Sequence, residues 1–365
     1  MMRVQVSVQP RPYEVLIERG LLRRSGELLR ELMPNRSRCF VVTVPAVRKK
    51  WANKLVSSLS DSGFSAKLLE MPDGERYKKL ATIEHLAEKL VALGADRRAV
   101  ILALGGGVVG DVAGLLASLY MRGVDVVQVP TTVLAQVDAS IGGKTGVDLK
   151  AGKNLVGTFH QPRAVLTDPD VLSTLSDREF RSGLYEILKA GVIGMPQLFK
   201  RFEDERDAIL GREPDVIESL IGNSVKLKAE VVSADEKEAG LRQVLNFGHT
   251  IGHALEAETN YRGFLHGEAV AWGMIAAAKI ATGIGKTSAS TAARISQGIL
   301  ALGPLPKFDV RSAAILRRLQ ADKKTRDGVV HFVLPREIGE VEIVSNVPKE
   351  AVVDAVEEIR RQSRN

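Results

Sequence analysis

The sequence predicts an α/β N-terminal domain with a parallel sheet and a Rossmann-like nucleotide site, followed by a mostly α-helical C-terminal domain. Three observations carry this. Short β-branched runs alternate with amphipathic stretches through residues 1–175, from residue 176 the pattern becomes almost wholly helical, and one apolar run leads directly into a glycine-rich turn. The length of 365 residues exceeds one ordinary core. Two domains are therefore expected, at 1–175 and 176–365, with no long polar linker between them.

In chain order, strands are expected at 4–8, 13–17, 38–44, 64–69, 99–104, 125–129 and 164–167. Between them, 21–33, 47–60 and 78–93 carry helical periodicity, the last stopping at Gly94. Helices follow at 178–193, 214–238, 249–260, 268–281, 288–302 and 349–361. A hairpin-like pair, 329–334 with 341–344, interrupts them.

Composition narrows the class. Hydrophobic residues at 45% and charged residues at 26% are an ordinary globular balance. Cys39 is the single cysteine, which excludes a disulfide framework or a thiolate zinc ribbon; it opens the apolar run Cys39-Phe-Val-Val-Thr43 and reads as a buried thiol. No apolar run is long enough for a membrane span, and a cytoplasmic protein is expected. The net charge of +7 favours anionic partners without choosing among them. Aromatics at 5% and the lack of a concentrated basic helix argue against nucleic acid.

Strand 99–104 runs into Gly105-Gly-Gly-Val-Val-Gly-Asp111, which contains GxGxxG in register. Glycines there let the backbone approach a pyrophosphate at a helix start. The acidic residue that should end the next strand is missing, because Asp125 begins it. A tight structural turn stays open as the other reading. Asp73-Gly-Glu-Arg-Tyr-Lys78 forms a turn entering a helix, and Thr131-Thr132 sits at the carboxyl end of a strand, the edge where α/β sheets bind ligands. The stretch 138–157 is dense in glycine, hydroxyls and lysine; Lys144 and Lys153 suit an anion held by backbone amides, with a solvated loop as the alternative.

His249, His253 and His266 are three of the six histidines. The i,i+4 spacing puts His249 and His253 on one helix face, continued by Glu256, and His266 opens the next helix. Two imidazoles and a carboxylate make a catalytic metal site with an open position. Spacing alone nominates His249 and His253 as joint ligands. Glu186 and Lys189, an i,i+3 pair in an otherwise apolar helix, are further candidates, as are Lys228 and Arg242 in a charged segment.

Taken together, these blocks resemble the 3-dehydroquinate synthase family of sugar-phosphate cyclases over nearly the whole length. They are DGERYK at 73–78, GGGVVGD at 105–111, MRGVDVVQVPTT from Met121, DASIGGKTGVD from Asp138, GKNLVGTFHQP at 152–162, GLYEILK, DEKEAGLRQVLNFGHTIGHALE, HGEAVAWGM and DKK at 322–324. Tyr185 stands where alanine is common, and Val44 where a polar residue is usual. The resemblance implies conversion of 3-deoxy-D-arabino-heptulosonate 7-phosphate into 3-dehydroquinate and phosphate. The alternatives are another sugar-phosphate cyclase or a metal-dependent polyol dehydrogenase of the same fold.

The resemblance implies NAD+ held by Asp73, Gly74, Glu75, Lys78, Gly107, Val108, Val109, Gly110, Asp111, Thr131, Thr132, Lys144, Lys153, Val171, Leu172, Ser173 and Thr174. It implies one Zn2+ or Co2+ on Glu186, His249 and His266, with His253 moved from ligand to acid–base and phosphate-side residue. Lys144, Lys189, Lys228, Arg242, Asn246, Asn154, Asp138 and one of Lys323 or Lys324 would serve the substrate. Arg122 would reach the phosphate of a neighbouring subunit in a homodimer.

Overall fold

The computed structural model describes residues 1–321 and 330–364. Lys323 and Lys324, expected at the substrate, lie outside them. The chain forms two compact units: Met1–Leu175 with Ile217–Lys237, and Ser176–Val216 with Glu238–Asn365.

The first unit is built on seven strands: β1 (Met2–Val6), β2 (Tyr13–Ile17), β3 (Arg38–Thr43), β4 (Ser65–Glu70), β5 (Val100–Gly105), β6 (Asp125–Pro130) and, after a hairpin of β7 (Lys144–Leu149) and β8 (Gly152–Phe159), β9 (Ala164–Thr167). Their order is β1-β2-β9-β6-β5-β3-β4, with β1 antiparallel to β2 and the remaining pairs parallel. A parallel sheet covered on both faces needs nearly continuous apolar strands, and β5 and β9 are buried at every position. The helices of this unit are α1 (Ser25–Leu32), α2 (Pro45–Val47) running through a π-turn (Arg48–Ala52) into α3 (Asn53–Asp61), α4 (Leu80–Ala92) and α5 (Gly107–Leu119). Helix α5 is apolar because it packs on the sheet, burying Val109, Val112, Leu115 and Leu116.

Two departures from the sequence reading matter for function. The stretch 138–157 is no simple loop: β7 and β8 pair antiparallel, with Val147 opposite Val156 and Thr145 opposite Thr158. Close pairing is possible because Gly157 has no side chain; a Cβ there would lie 2.0 Å from the Thr145 carbonyl oxygen. Ile217–Lys237, placed in the second domain from sequence, instead groups with the first unit. Ser233 Oγ accepts the Ser7 amide at 2.8 Å, and Glu236 accepts the Gln161 side chain at 2.8 Å and the Gln9 amide. Helical periodicity reports a buried face but not the body against which it is buried.

The second unit contains α6 (Asp177–Ile193), α7 (Pro196–Asp204), α8 (Arg206–Leu210), the first residues of α9 (Pro214–Ala234), α10 (His249–Glu258), α11 (His266–Gly283), α12 (Ala289–Leu300), α13 (Ser312–Ala321) and α14 (Lys349–Arg364), with a hairpin of β10 (Phe332–Glu337) and β11 (Glu340–Val344). Local caps set the starts. Ser176 accepts the Glu179 amide ahead of α6, and Ser288 accepts the Thr291 amide ahead of α12. Helix α11 is central and buried nearly all round, with Trp272 packed edge-on against Phe308. Among the described residues, no helix is long and apolar enough to cross a membrane.

Candidate active site

In the first unit, β5 ends at Gly105 beside Pro130 of β6, and the Thr131 amide bonds the Gly105 carbonyl at 2.9 Å. Gly107 then begins α5, whose first turn carries no side-chain cap, so its amides face outward at the carboxyl edge of the sheet. The glycines also answer packing demands. A Cβ on Gly105 would strike Val109 at 2.5 Å, and one on Gly110 would meet Gln128 at 2.9 Å. Tight packing is thus one demand that these glycines meet, and the uncapped first turn of α5 leaves amides for a second.

The 73–78 turn is joined to the start of α5 and to β8. Lys78 is buried; its ammonium pairs with Asp111 at 2.5 Å and donates to the Asn154 side-chain oxygen. Burial works against the charge on Lys78, but the Asp111 and Glu75 carboxylates outweigh it and hold the ammonium above its ordinary pKa. Lys153 pairs with Glu75 at 3.2 Å. Asp148, which the sequence reading passed over, closes the circuit: its amide donates to the Lys78 carbonyl at 2.8 Å, and its carboxylate accepts the amide of Asn154, held at φ 55°. Asp73 and Gly74 sit at the exposed tip, and Lys144 is exposed at the start of β7.

Other expected residues are more structural. Val109, Val171 and Leu172 belong to the core. Thr132 Oγ1 accepts the Ala135 amide, Ser173 donates to the Asp170 carbonyl, and Thr174 accepts the Trp51 indole N–H. Val108 is partly buried against the core. Asp138 is bound by Lys228, whose ammonium donates to the Asp138 carbonyl at 2.6 Å and also reaches its carboxylate. Arg122 lies in an exposed left-handed turn after α5, at φ 68°.

In the second unit, three helices converge. Helix α6 supplies Glu186 and Lys189, α10 supplies His249 and His253, and the first residue of α11 is His266. Close backbone approach brings them together. A Cβ on Gly267 would lie 1.8 Å from the Ser182 carbonyl oxygen of α6, and one on Gly273 would lie 1.8 Å from the Gly248 carbonyl oxygen at the head of α10. Glu268 holds the start of α11, accepting the Leu265 amide at 2.8 Å and pairing with Nε and Nη2 of Arg178.

The three imidazoles form one cluster, with ring centroids 5.1 Å apart for His249 and His253 and 5.2 Å apart for His249 and His266; their ligand atoms all fall within 4.8 Å of one another. Glu186 Oε1 lies 4.0 Å from His249 Nε2 and 3.9 Å from His266 Nε2. Glu186 is 2% exposed and neither carboxylate oxygen accepts a hydrogen bond, although Lys189 makes a close ionic contact with Oε2.

A buried carboxylate without hydrogen bonds requires cations around it. Donors that each bind zinc at about 2.0–2.2 Å stand roughly 3.3–3.6 Å apart around a tetrahedral ion, and the two separations of 4.0 and 3.9 Å lie within an ångström of that spacing. His249 Nδ1 donates to the Phe247 carbonyl at 3.2 Å, leaving Nε2 bare toward Glu186. Burial first, then the Lys189 ammonium and the neighbouring rings, push the His249 pKa far down, so it is a neutral imidazole as a ligand must be. The donors fit a divalent ion. The spacing pair His249 and His253 is in the imidazole cluster with His266, and Glu186 stands beside that cluster, 4.0 Å from His249 and 3.9 Å from His266.

Arg242, 2% exposed, and Asn246 lie on the 3-10 turn Leu241–Asn246, and Asn246 donates to Glu238 at 2.7 Å. Glu238 gains no role from motif reading, and Glu256 gains one only as the carboxylate continuing the His249 and His253 face; the structure instead places its Oε2 3.2 Å from His266 Nδ1, a partner recognisable only once the helices are placed.

Residues 68–182 match the family model described as 3-dehydroquinate synthase N-terminal, and residues 183–325 match the one described as 3-dehydroquinate synthase C-terminal. The chain is 58% identical over 360 residues to the 3-dehydroquinate synthase of Koribacter versatilis (strain Ellin345), covering 99% of this chain and 98% of that one. Among solved structures, 2-deoxy-scyllo-inosose synthase complexed with carbaglucose-6-phosphate, NAD+ and Co2+ superposes with TM-score 0.86 at 28% identity, covering 99% of each chain. The 2-epi-5-epi-valiolone synthase of Streptomyces hygroscopicus subsp. jinggangensis 5008, with NAD+ and Zn2+ bound, gives TM-score 0.88 at 29% identity over 98% of this chain and 99% of that one.

Proposed function

The chain belongs to the 3-dehydroquinate synthase family, and from that premise we propose how its residues divide the reaction. The enzyme converts 3-deoxy-D-arabino-heptulosonate 7-phosphate into 3-dehydroquinate and phosphate, using NAD+ and one divalent metal ion. When bound, NAD+ supplies a hydride acceptor that is regenerated within the cycle, and the metal supplies a Lewis acid for the substrate hydroxyls. The observation that carries the reading is the buried carboxylate of Glu186, free of hydrogen bonds and faced by two Nε2 atoms.

In this assignment Glu186, His249 and His266 hold the metal, Zn2+ or Co2+. His253, one helical turn from His249, accepts or returns the hydroxyl proton at a ring nitrogen. Lys189 and Arg242 are buried cations of the second unit suited to anionic oxygens, and Asn246 offers its amide to a hydroxyl. In the first unit, the open turn of α5 and Asp73–Lys78 receive the pyrophosphate and ribose of NAD+, assisted by Lys153. Lys78 and Asp111 hold that turn in place, and Lys228 fixes Asp138 for substrate or cofactor.

Lys144, Asn154, Thr131 and Thr132 keep their assignments within this reading, and the 171–174 stretch serves by packing, with Val171 and Leu172 in the core and Ser173 and Thr174 bonded to Asp170 and Trp51. Exposed Leu149, Leu155 and Phe159 on the β7–β8 hairpin support a homodimer in which Arg122 serves the neighbouring site. A cytoplasmic location accords with the buried, unpaired Cys39.

Purified protein with NAD+ should release inorganic phosphate from this substrate, stop when a chelator is added, and accumulate no net NADH. Stoichiometric NADH would overturn the cyclase reading in favour of a polyol dehydrogenase. Size-exclusion chromatography with light scattering tests the dimer; a monomer at micromolar concentration would refute it.

A further inference from the structure

We propose that Glu256 is a positioning residue that sets the ring orientation and tautomer of His266. The proposal rests on His266 being a metal ligand, and extends it to the residue that holds the far side of that ring. Glu256 lies on α10 and is 3% exposed, an expensive place for a carboxylate unless it is bonded. Its Oε2 lies 3.2 Å from His266 Nδ1, and it belongs to a different helix from His266.

An ionised carboxylate only accepts, so Nδ1 must carry the proton. The opposite nitrogen, Nε2, is then bare, and it is the atom 3.9 Å from Glu186 Oε1. His249 is arranged in the same sense, with Nδ1 donating to the Phe247 carbonyl and Nε2 turned to the same oxygen. Two rings from two helix starts are therefore aimed at one point by two different acceptors. The Phe247 carbonyl is backbone and invariant to substitution, whereas Glu256 is the acceptor that a side-chain change can remove. Partners of this kind hold a ligating imidazole in one tautomer and raise its basicity.

Two substitutions of similar volume separate orientation from bulk. Glu256→Met fills the space without an acceptor, and Glu256→Gln keeps an acceptor oxygen. Metal-depleted full-length protein is titrated with Co2+ against a chromophoric chelator, and the visible absorption of the cobalt-loaded form is recorded. Glu256→Met should weaken Co2+ binding about 10–100-fold and alter the absorption band, with Glu256→Gln within about threefold of the original. In a His266→Ala background, Glu256→Met should cause no further loss.

The proposal is overturned by an original affinity in Glu256→Met, by equal losses in the Met and Gln variants, or by undiminished loss in the His266→Ala background. Should Glu256→Met not fold, nitrogen-15 shifts of His266 in the unaltered, metal-free protein decide, since a proton on Nε2 refutes the proposal. A His266→Ala protein that keeps full Co2+ affinity removes the ligand assignment itself. Loss in His266→Ala without loss in Glu256→Met removes only the positioning role.

Discussion

Replacing Gly267 by alanine tests whether helix spacing builds the metal centre. The new Cβ would lie 1.8 Å from the Ser182 carbonyl oxygen, 2.7 Å from its carbonyl carbon and 2.9 Å from its Oγ. Two of these atoms are backbone of α6, so no rotamer change relieves the clash. Restoring ordinary contact requires α11 and α6 to separate by more than about 1 Å, and overpacking of this kind costs roughly 1–3 kcal/mol. The same displacement acts on the site, because Glu186 follows Ser182 by one turn and His266 precedes Gly267. Metal–ligand distances tolerate only about 0.2 Å, so Co2+ affinity should fall by at least about tenfold, alongside a lower melting temperature of the metal-free protein. Gly283, at the far end of the same helix, is the control. A Cβ there meets nothing within 4 Å, and alanine should be neutral or stabilising by up to about 1 kcal/mol, with metal binding unchanged. Chelator competition and circular dichroism read both effects. Unchanged affinity and melting in Gly267→Ala would refute the idea that this contact sets the distance between Glu186 and His266.

Further outcomes are expected elsewhere. Lys78→Ala leaves Asp111 and Asn154 without their shared cation and should cost up to about 3 kcal/mol in urea unfolding, with weaker NAD+ binding by fluorescence titration; normal values for both would remove Lys78 from the site. Glu357 accepts the Ser312 amide at the head of α13 at 3.0 Å and pairs with Arg360, which lowers its carboxyl to about 2. A depressed carboxyl stabilises the fold above its unfolded value and loses that contribution as pH falls through the folded value. The stability gap between the protein and Glu357→Gln should therefore be full above about pH 4.5 and shrink toward pH 2; a pH-independent gap contradicts the assignment. Burial raises the Cys39 thiol to about 12, so native protein at pH 8 should resist iodoacetamide until denatured, whereas fast native labelling would show an accessible thiolate.

The parallel sheet, the glycine turn and the helical second half are legible in sequence because each depends on local period and on residues with special backbone freedom. The βα alternation demands buried β-branched runs such as Val100–Gly105, and those show in any window. The shared face of His249 and His253 is equally local, set by the pitch of one helix. What local pattern cannot hold is distance between segments. Glu186 reads as half of an i,i+3 pair with Lys189 until α6 is packed against α11 at Gly267, and only then does it face two imidazoles. The β7–β8 hairpin escaped notice because glycine and lysine mask its short apolar alternation. Ile217–Lys237 was read with its sequence neighbours, yet Lys228 reaches Asp138 and Glu236 reaches Gln161 in the first unit.

The amino-acid sequence by itself determined which chemistry the chain can perform: the residue types, their periodicity and ordered motif blocks specify a nucleotide turn, an imidazole cluster and cationic partners. Only the tertiary structure decided which of those groups meet, because hydrogen bonds and metal contacts fall off within an ångström. That ångström is set by packing between helices far apart in the chain, not by any spacing along it.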